Sequence, residues 1–310
     1  MWGGAASAIL ALGALAFAIV VAQTTSPDAH VARYLEALAR DDRASAARLA
    51  GLQPTAALPL GDEVEPSIRR IISVTPERDG TVTVLAEYGD EGDAERVPFS
   101  LEPAPPLLGF IPSWAFEQSP VTTLDVGSDH HDQITVGEQV VTTAAAGQTA
   151  RVRVFIPARV TVRLQDPLLR AESVSVRMTT AVQTPVILAV EPSARFARSV
   201  QQHIDRLLDE CATQTVLLPT GCPFGVEIDD RVINSARWQL TESPAISLTT
   251  GERAGVWLIS GDGEARLMVS VQRLFDGTID ERDDRVAFAV RGEVVFQPDG
   301  PVLTVFSPEG

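Results

Sequence analysis

Residues 192–226, PSARFARSVQQHIDRLLDECATQTVLLPTGCPFGV, join a helical pattern to the chain's only two cysteines. Phe196, Val200, Ile204, Leu207, Leu208 and Cys211 recur at intervals of three and four, which lines them up as one stripe on a helix. Pro192 and Ser193 supply the start, because proline is tolerated in a first turn and serine can cap free N–H groups. Cys211 ends the stripe. Cys222 follows a loop that closes with the turn residues Pro219, Gly221, Pro223 and Gly225. A bridge between Cys211 and Cys222 would pin the helix end to the strands after it. Such a pair suits an oxidising compartment; the alternative is two free thiols in a cytosolic core. The chain-entropy relation gives so short a loop about 3 kcal/mol of stabilisation. Neither cysteine sits in a C-x-x-C pair, so redox catalysis and a zinc site have little support.

The N-terminal end carries a second strong signal. No charged residue occurs from Met1 to Pro27, and Ala5–Ala22 reads AASAILALGALAFAIVVA. A bilayer-crossing helix needs about 20 apolar residues, because hydrocarbon cannot hydrogen-bond a free backbone group. The stretch reaches that length with Met1 and Trp2. A membrane anchor is expected, spanning residues 1–25 and touching lipid through residues 5–22. The competing reading is a cleavable signal peptide, with Val20 and Ala22 as the small residues before the cut. The anchor is preferred because the run is longer than a signal core. The basic residues that normally set orientation are missing, which points to a start upstream or an absent cytoplasmic piece. The rest of the chain is then expected outside the cytoplasm, in agreement with the cysteines.

At 310 residues the chain is long enough for two or three domains. An apolar share of 45% argues for folded domains rather than wholesale disorder. The net charge of −16, with no dense arginine cluster, argues against nucleic acid and against anionic membrane surfaces. All 25 basic residues are arginine, which reads as codon bias.

Along the chain, Ser26 and Pro27 open a helix with Val31, Tyr34, Leu35 and Leu38 on its apolar stripe. A shorter helix, Arg43 to Ala50, ends at Gly51, and the proline-rich 54–66 reads as loop. Strands are expected at 70–74, 81–88 and 96–101, where Val82, Val84, Ala86 and Tyr88 alternate with polar residues. EPAPPLLGFIP, 102–112, reads as a rigid connector to a strand around 114–126. Helices followed by an antiparallel sheet give an α+β domain over 26–126. After the polar break GSDHHDQ, 127–133, only strand patterns occur, so 127–190 is expected as a small β-sandwich. Residues 191–310 repeat the helix-then-strands order. They include a long strand pair joined by the acidic tip DGTIDERDD, 276–284. Pro27-x-Ala29-x-Val31-Ala32-Arg33 echoes Pro192-x-Ala194-x-Phe196-Ala197-Arg198, a pattern open both to duplication and to chance.

The expected fold class is therefore α+β: an N-terminal transmembrane helix, then two helix-plus-antiparallel-sheet domains flanking a small β-sandwich. The helix-first units resemble the nuclear-transport-factor-two-like, or cystatin-like, roll. The Ala5–Ala22 segment, Phe155-Ile156-Pro157 before the strand at 160–164, and Gly221-Cys222-Pro223-Phe224-Gly225 together resemble an uncharacterised family of actinobacterial membrane-anchored extracytoplasmic proteins. The layout is similar to that of TcaA-type envelope proteins. Members of that group often carry a cytoplasmic zinc ribbon, which this sequence lacks. The resemblance implies an envelope role and no particular activity.

Candidate chemistry is sparse. Asp129, His130, His131 and Asp132 carry metal-binding side chains, but neighbours on an extended loop point opposite ways, and a solvated interdomain loop is the simpler reading. His203 flanks the helical stripe and reads as a partly exposed helix histidine rather than a general base. Asp276, Asp280, Glu281, Asp283 and Asp284 could attract calcium, yet they lack a regular ligand spacing and read as a solvated tip. No nucleophile elbow, zincin, P-loop or dinucleotide motif occurs. The sequence therefore assigns no catalytic, cofactor or metal residue and expects no enzyme. It points to a membrane-anchored extracytoplasmic binding or scaffolding protein of the cell envelope, with an envelope-protein or cell-wall partner and no nucleic acid. The alternative is a ligand-binding or enzymatic pocket in the C-terminal roll, lined around Trp238 and Trp257.

Overall fold

The computed structural model describes residues 25–53, 68–178, 184–297 and 300–306. Two helices come first, α1 (Pro27–Ala39) and α2 (Arg43–Leu49). Asp42 caps the second by accepting the Ser45 N–H. An antiparallel meander follows: β1 (Ile68–Pro76), β2 (Val82–Gly89), β3 (Glu95–Leu107) and β4 (Ile111–Phe116), in the order β1-β2-β3-β4. Val82, Val84 and Ala86 of β2 and Val97, Phe99 and Leu101 of β3 point to one face. There they meet Val31, Tyr34, Leu35 and Leu38 of α1, together with Phe155 from further along the chain.

Next come β5 (Val121–Ser128), β6 (Gln133–Val136), β7 (Gln139–Thr142), β8 (Thr149–Phe155), β9 (Ala158–Arg163), β10 (Leu169–Ala171), β11 (Val174–Met178), β12 (Val186–Leu188) and β13 (Val190–Pro192). They form sheets β12-β5-β8 and β11-β9-β6-β7, with β10 and β13 as a separate ribbon. Leu124, Val126, Val152 and Val154 of the first sheet share one core with Ile134, Val136, Val160, Val162 and Met178 of the second.

The chain then forms α3 (Ala194–Thr213), β14 (Arg231–Val232), β15 (Arg237–Glu242), β16 (Ser247–Thr250), β17 (Val256–Gln272), β18 (Ile279–Gln297) and β19 (Gly300–Phe306). β17 and β18 make one antiparallel ribbon from Val256↔Val295 to Gln272↔Ile279. β14, β15 and β16 line the free edge of β17, and β19 lines that of β18. α3 starts where Ser193 Oγ accepts the Phe196 N–H at 3.1 Å. It buries Phe196, Val200, Ile204, Leu208 and Cys211 against the sheet.

These observations correct the expected α+β class. The described residues are mainly β, with 51% strand against 15% helix. The described residues hold three helices, of 13, 7 and 20 residues. At about 1.5 Å per residue α3 spans about 30 Å. β17, at about 3.4 Å per residue, runs to nearly twice that. One helix covers only part of such a ribbon, so strand–strand pairing organises the fold and the two helix-plus-sheet rolls do not describe it. No helix among the described residues is long and apolar enough to cross a membrane. The expected transmembrane helix over residues 1–25 falls almost wholly on residues outside the described set.

Two local readings change as well. The proline-rich connector is strand: β3 runs on to Leu107 and turns into β4. β2 starts at Val82, opposite Leu101, so beyond that point one side of β3 has no partner strand and Pro103 and Pro105 forfeit no ladder bond there, while Pro106 sits in the register shift between Ala104 and Leu107. The strand read through 114–126 is two strands in different sheets, broken between Phe116 and Val121. Likewise, the acidic tip is mostly strand. β18 begins at Ile279, which leaves 273–278 as the turn.

Candidate functional site

Cys211 and Cys222 form a disulfide, with Cα atoms 5.7 Å apart. The loop they close has its own clamps. Thr220 N–H donates to Gln214 Oε1 at 2.9 Å, and Gln214 Nε2 donates to Thr220 O at 3.2 Å. Val226 N–H reaches Leu217 O at 2.9 Å, and the Trp238 indole N–H reaches Val216 O at 2.9 Å. Phe224, two residues past the bridge, lies 4.9 Å from Trp238 and 5.3 Å from Phe288, ring centre to ring centre. The bridge thus ties the end of α3 to the aromatic centre of the C-terminal core.

That core occupies the space in which the alternative reading placed a C-terminal pocket. Phe196, Ile204 and Leu208 pack with Trp238, Trp257, Leu267, Phe288 and Val290 into one cluster. The helix face plugs the sheet instead of leaving a cone lined by polar groups.

The Asp129–Asp132 segment divides its groups among separate partners. Asp129 Oδ1 accepts the Val190 N–H at 2.9 Å, holding the start of β13. His130 Nδ1 accepts the Gly255 N–H at 3.2 Å, and its ring lies 5.2 Å from Trp257. His131 faces away: its Nδ1 lies 2.9 Å from both the N–H and the carbonyl oxygen of Gln133, and its Nε2 lies 3.5 Å from Asp166 Oδ2. Ser128 Oγ donates to His131 O at 2.6 Å. Consecutive side chains fasten three elements, and no group of three His, Cys, Asp or Glu among the described residues could hold a metal. The segment works as a latch between the middle sheets and the C-terminal sheet.

The acidic segment 276–284 is similarly accounted for. Asp283 pairs with Arg266, Asp280 with Arg273 at 2.7 Å and Asp284 with Arg282 at 2.6 Å, while Glu281 accepts from Ser270 Oγ at 2.6 Å. Arg266, beside it, holds the Asp283 carboxyl below the usual range. Alternation along a strand sends neighbouring carboxylates to opposite faces, which explains why they do not converge on an ion. His203 is exposed on α3.

A depression of about 290 Å3 was not foreseen. It is lined by His30, Ser45, Arg48 and Leu49. Its polar groups serve one another: His30 Nε2–H donates to Leu49 O at 3.1 Å, and Arg48 Nη2 donates to Ser45 Oγ at 2.8 Å. Burial holds the His30 imidazole below its ordinary value, outweighing the bond to Leu49. The lining comes from two helices, so no single spacing in the sequence announces it.

Tyr34 is the other residue that sequence reasoning placed only in a core. Its hydroxyl donates to Ile156 O at 2.8 Å, with Pro120 O at 3.0 Å. It thus joins α1 to both ends of the passage into the middle sheets. Burial drives its ionisation well above the ordinary 10. Asp93, on the turn between β2 and β3, is clamped by Arg159 and Arg177 of the middle sheets.

No known protein family, curated protein or solved structure matches the chain.

Proposed function

We propose that the chain is an extracytoplasmic binding or scaffolding module of the cell envelope, held at the cell membrane through the apolar stretch Ala5–Ala22. The observation that carries this reading is the Cys211–Cys222 bridge. Structural disulfides persist where the surroundings are oxidising and are rare in a reducing cytosol. The uncharged first 27 residues supply an independent reason for export. Filled cores, and polar groups spent on fastening one unit to the next, support a rigid display of surfaces over chemistry in a cleft. The resemblance to actinobacterial envelope proteins belongs to the same proposal. Its partner is an envelope protein or a cell-wall component; the net charge of −16 disfavours nucleic acid.

The test is fractionation of expressing cells combined with thiol labelling. The chain should sediment with membranes, yield to protease added outside the cell, and take up maleimide only after reduction. Recovery from cytosolic extract with both sulfhydryls open to alkylation would overturn the proposal.

A further inference from the structure

The turn between β3 and β4 is built like a membrane wedge. From Pro103 to Phe116, PAPPLLGFIPSWAF, there is no charged residue. At its end Leu107, Leu108 and Phe110 stand 63, 78 and 71% exposed. Leu108 has φ +55°, the left-handed region that favours glycine or asparagine, so an exposed leucine there serves no local need of the turn. Apolar side chains on show at a strained position point to a use outside the fold.

The backbone suits lipid better than it suits a protein strand. Pro103, Pro105 and Pro106 have no N–H to satisfy. Gly109 N–H donates to Pro106 O at 3.2 Å and Phe110 N–H to Leu107 O at 3.4 Å, while Ser113 Oγ donates to Pro105 O at 2.7 Å. A segment entering hydrocarbon must settle its polar groups internally in this way. The exposed apolar pair Leu274-Phe275, by contrast, is flanked by the charged Arg273 and Asp276.

Position decides the occupant. His30 packs on Phe116, which pairs with Leu101, which pairs with Val82. Glu36 lies 3.7 Å from Arg69, which pairs with Tyr88 at the opposite end of the sheet. α1 therefore begins at the end of the sheet from which the β3–β4 turn projects. From Leu101 to Leu107 the strand advances about 20 Å. Ser26 lies about 6 Å beyond His30 along the helix, and four more residues back to Ala22 reach at most about 14 Å. The chain before Ser26 is thus long enough for the apolar leader to reach the plane of the tip. The charged turn Glu77–Gly80 on that end stops short of it, since β1 and β2 close at Pro76↔Val82.

We propose that Leu107, Leu108 and Phe110 dip into the outer face of the bilayer as a second contact, setting the orientation of the first sheet on the membrane. The inference rests on the membrane attachment proposed above. The acidic chain and the uncharged tip favour zwitterionic lipid, entered by apolar burial.

The full chain offers a direct test, because both native cysteines are bridged and a Leu108→Cys variant carries one free thiol. It is labelled with an environment-sensitive fluorophore and reconstituted with phosphatidylcholine vesicles, with or without a spin label on the acyl chain. Phe110→Cys gives a second position, and Arg78→Cys a reference on the neighbouring turn. Flotation with the vesicles, a blue shift, and loss of half or more of the emission to the acyl-chain quencher at 108 and 110 but not at 78 would support the wedge. Flotation with an unquenched probe would overturn the wedge alone. A probe shielded without quenching, with tip-to-tip cross-links, would replace lipid by a second copy. Failure to float would overturn the membrane reading and the wedge with it.

Discussion

Replacing both bridge cysteines, Cys211→Ala with Cys222→Ala, should cost the C-terminal unit about 3 kcal/mol, close to 150-fold in its unfolding equilibrium. The figure comes from the closed loop: with the crosslinked ends 11 positions apart, loop-closure entropy removes about 9 cal/mol/K from the unfolded ensemble. Both sulfurs are buried, at 1 and 6% exposure, so alanine adds no unpaired polar group. The folded loop should survive, because the Gln214–Thr220 clamp, Val226 N–H on Leu217 O and Trp238 N–H on Val216 O do not depend on the bridge. The loss therefore sits in the unfolded state.

That location makes the prediction stricter than a loss of stability. Urea unfolding would be followed by fluorescence in a Trp2→Phe, Trp114→Phe background, leaving Trp238 and Trp257 to report on the C-terminal core. The midpoint should fall and the m value should rise slightly, because an unbridged unfolded chain exposes more surface. Reduction of the parent protein should reproduce the variant. The folded spectra should match, since Phe224 still packs on Trp238. A loss below about 1 kcal/mol, or a changed folded spectrum with an unchanged m value, would refute the reasoning and move the effect of the bridge into the native state.

Tyr34→Phe should destabilise the N-terminal unit by about 1–2 kcal/mol, because Ile156 O is left without its donor; thermal unfolding checks it. The same residue sets an alkaline limit. The unfolded phenol ionises near 10, and the folded one holds its proton to higher pH. Stability is thus intact below pH 10 and falls as pH rises beyond it; Tyr34→Phe should flatten that decline in part, with Tyr88, whose pKa is pushed up to about 12 by burial, supplying the rest. His30 works in the opposite direction. Its lowered value means that stability is present above 6.5 and is lost as pH falls through the folded value, so His30→Gln should reduce the acid sensitivity seen by circular dichroism. Finally, Trp238→Phe should cost about 1 kcal/mol more than Trp257→Phe, because Trp238 gives up a hydrogen bond while the Trp257 indole N–H is buried without an acceptor. Paired denaturation curves would measure the difference.

How far the sequence reached depends on the range of the interaction being read. α3 was legible from its stripe, its Ser193 cap and the cysteine near its end, which all lie within one local repeat, although Pro192, read as part of its start, ends β13 and Leu207 is only half-buried. β2 was legible because Val82, Val84 and Ala86 alternate over a few residues. The fold class was misjudged because such local patterns rank a helix by its clarity. What organises the chain is the pairing of β17 with β18 and the edge strands on either side, which no short window contains. The prolines of 103–106 show the same failure in miniature: proline excludes a strand only where a partner needs its N–H, and the pairing of β3 with β2 stops before that point is reached.

The latch at Asp129–Asp132 marks the point where residue type misleads most. Histidine beside aspartate suggests a ligand set, yet the physical alternative uses the same donors and acceptors to bridge protein to protein. The bent backbone between β5 and β6 decides between them, because it turns His130 toward Gly255 and Trp257 and His131 toward Asp166. Converging side chains need a helix face, or loops brought together from afar, and this chain uses its loops to fasten sheets to one another. The first sheet has joints of its own to the middle sheets, Tyr34 on Pro120 O and Ile156 O and Asp93 between Arg159 and Arg177, and these set the direction in which the tip at Leu108 presents its uncharged surface.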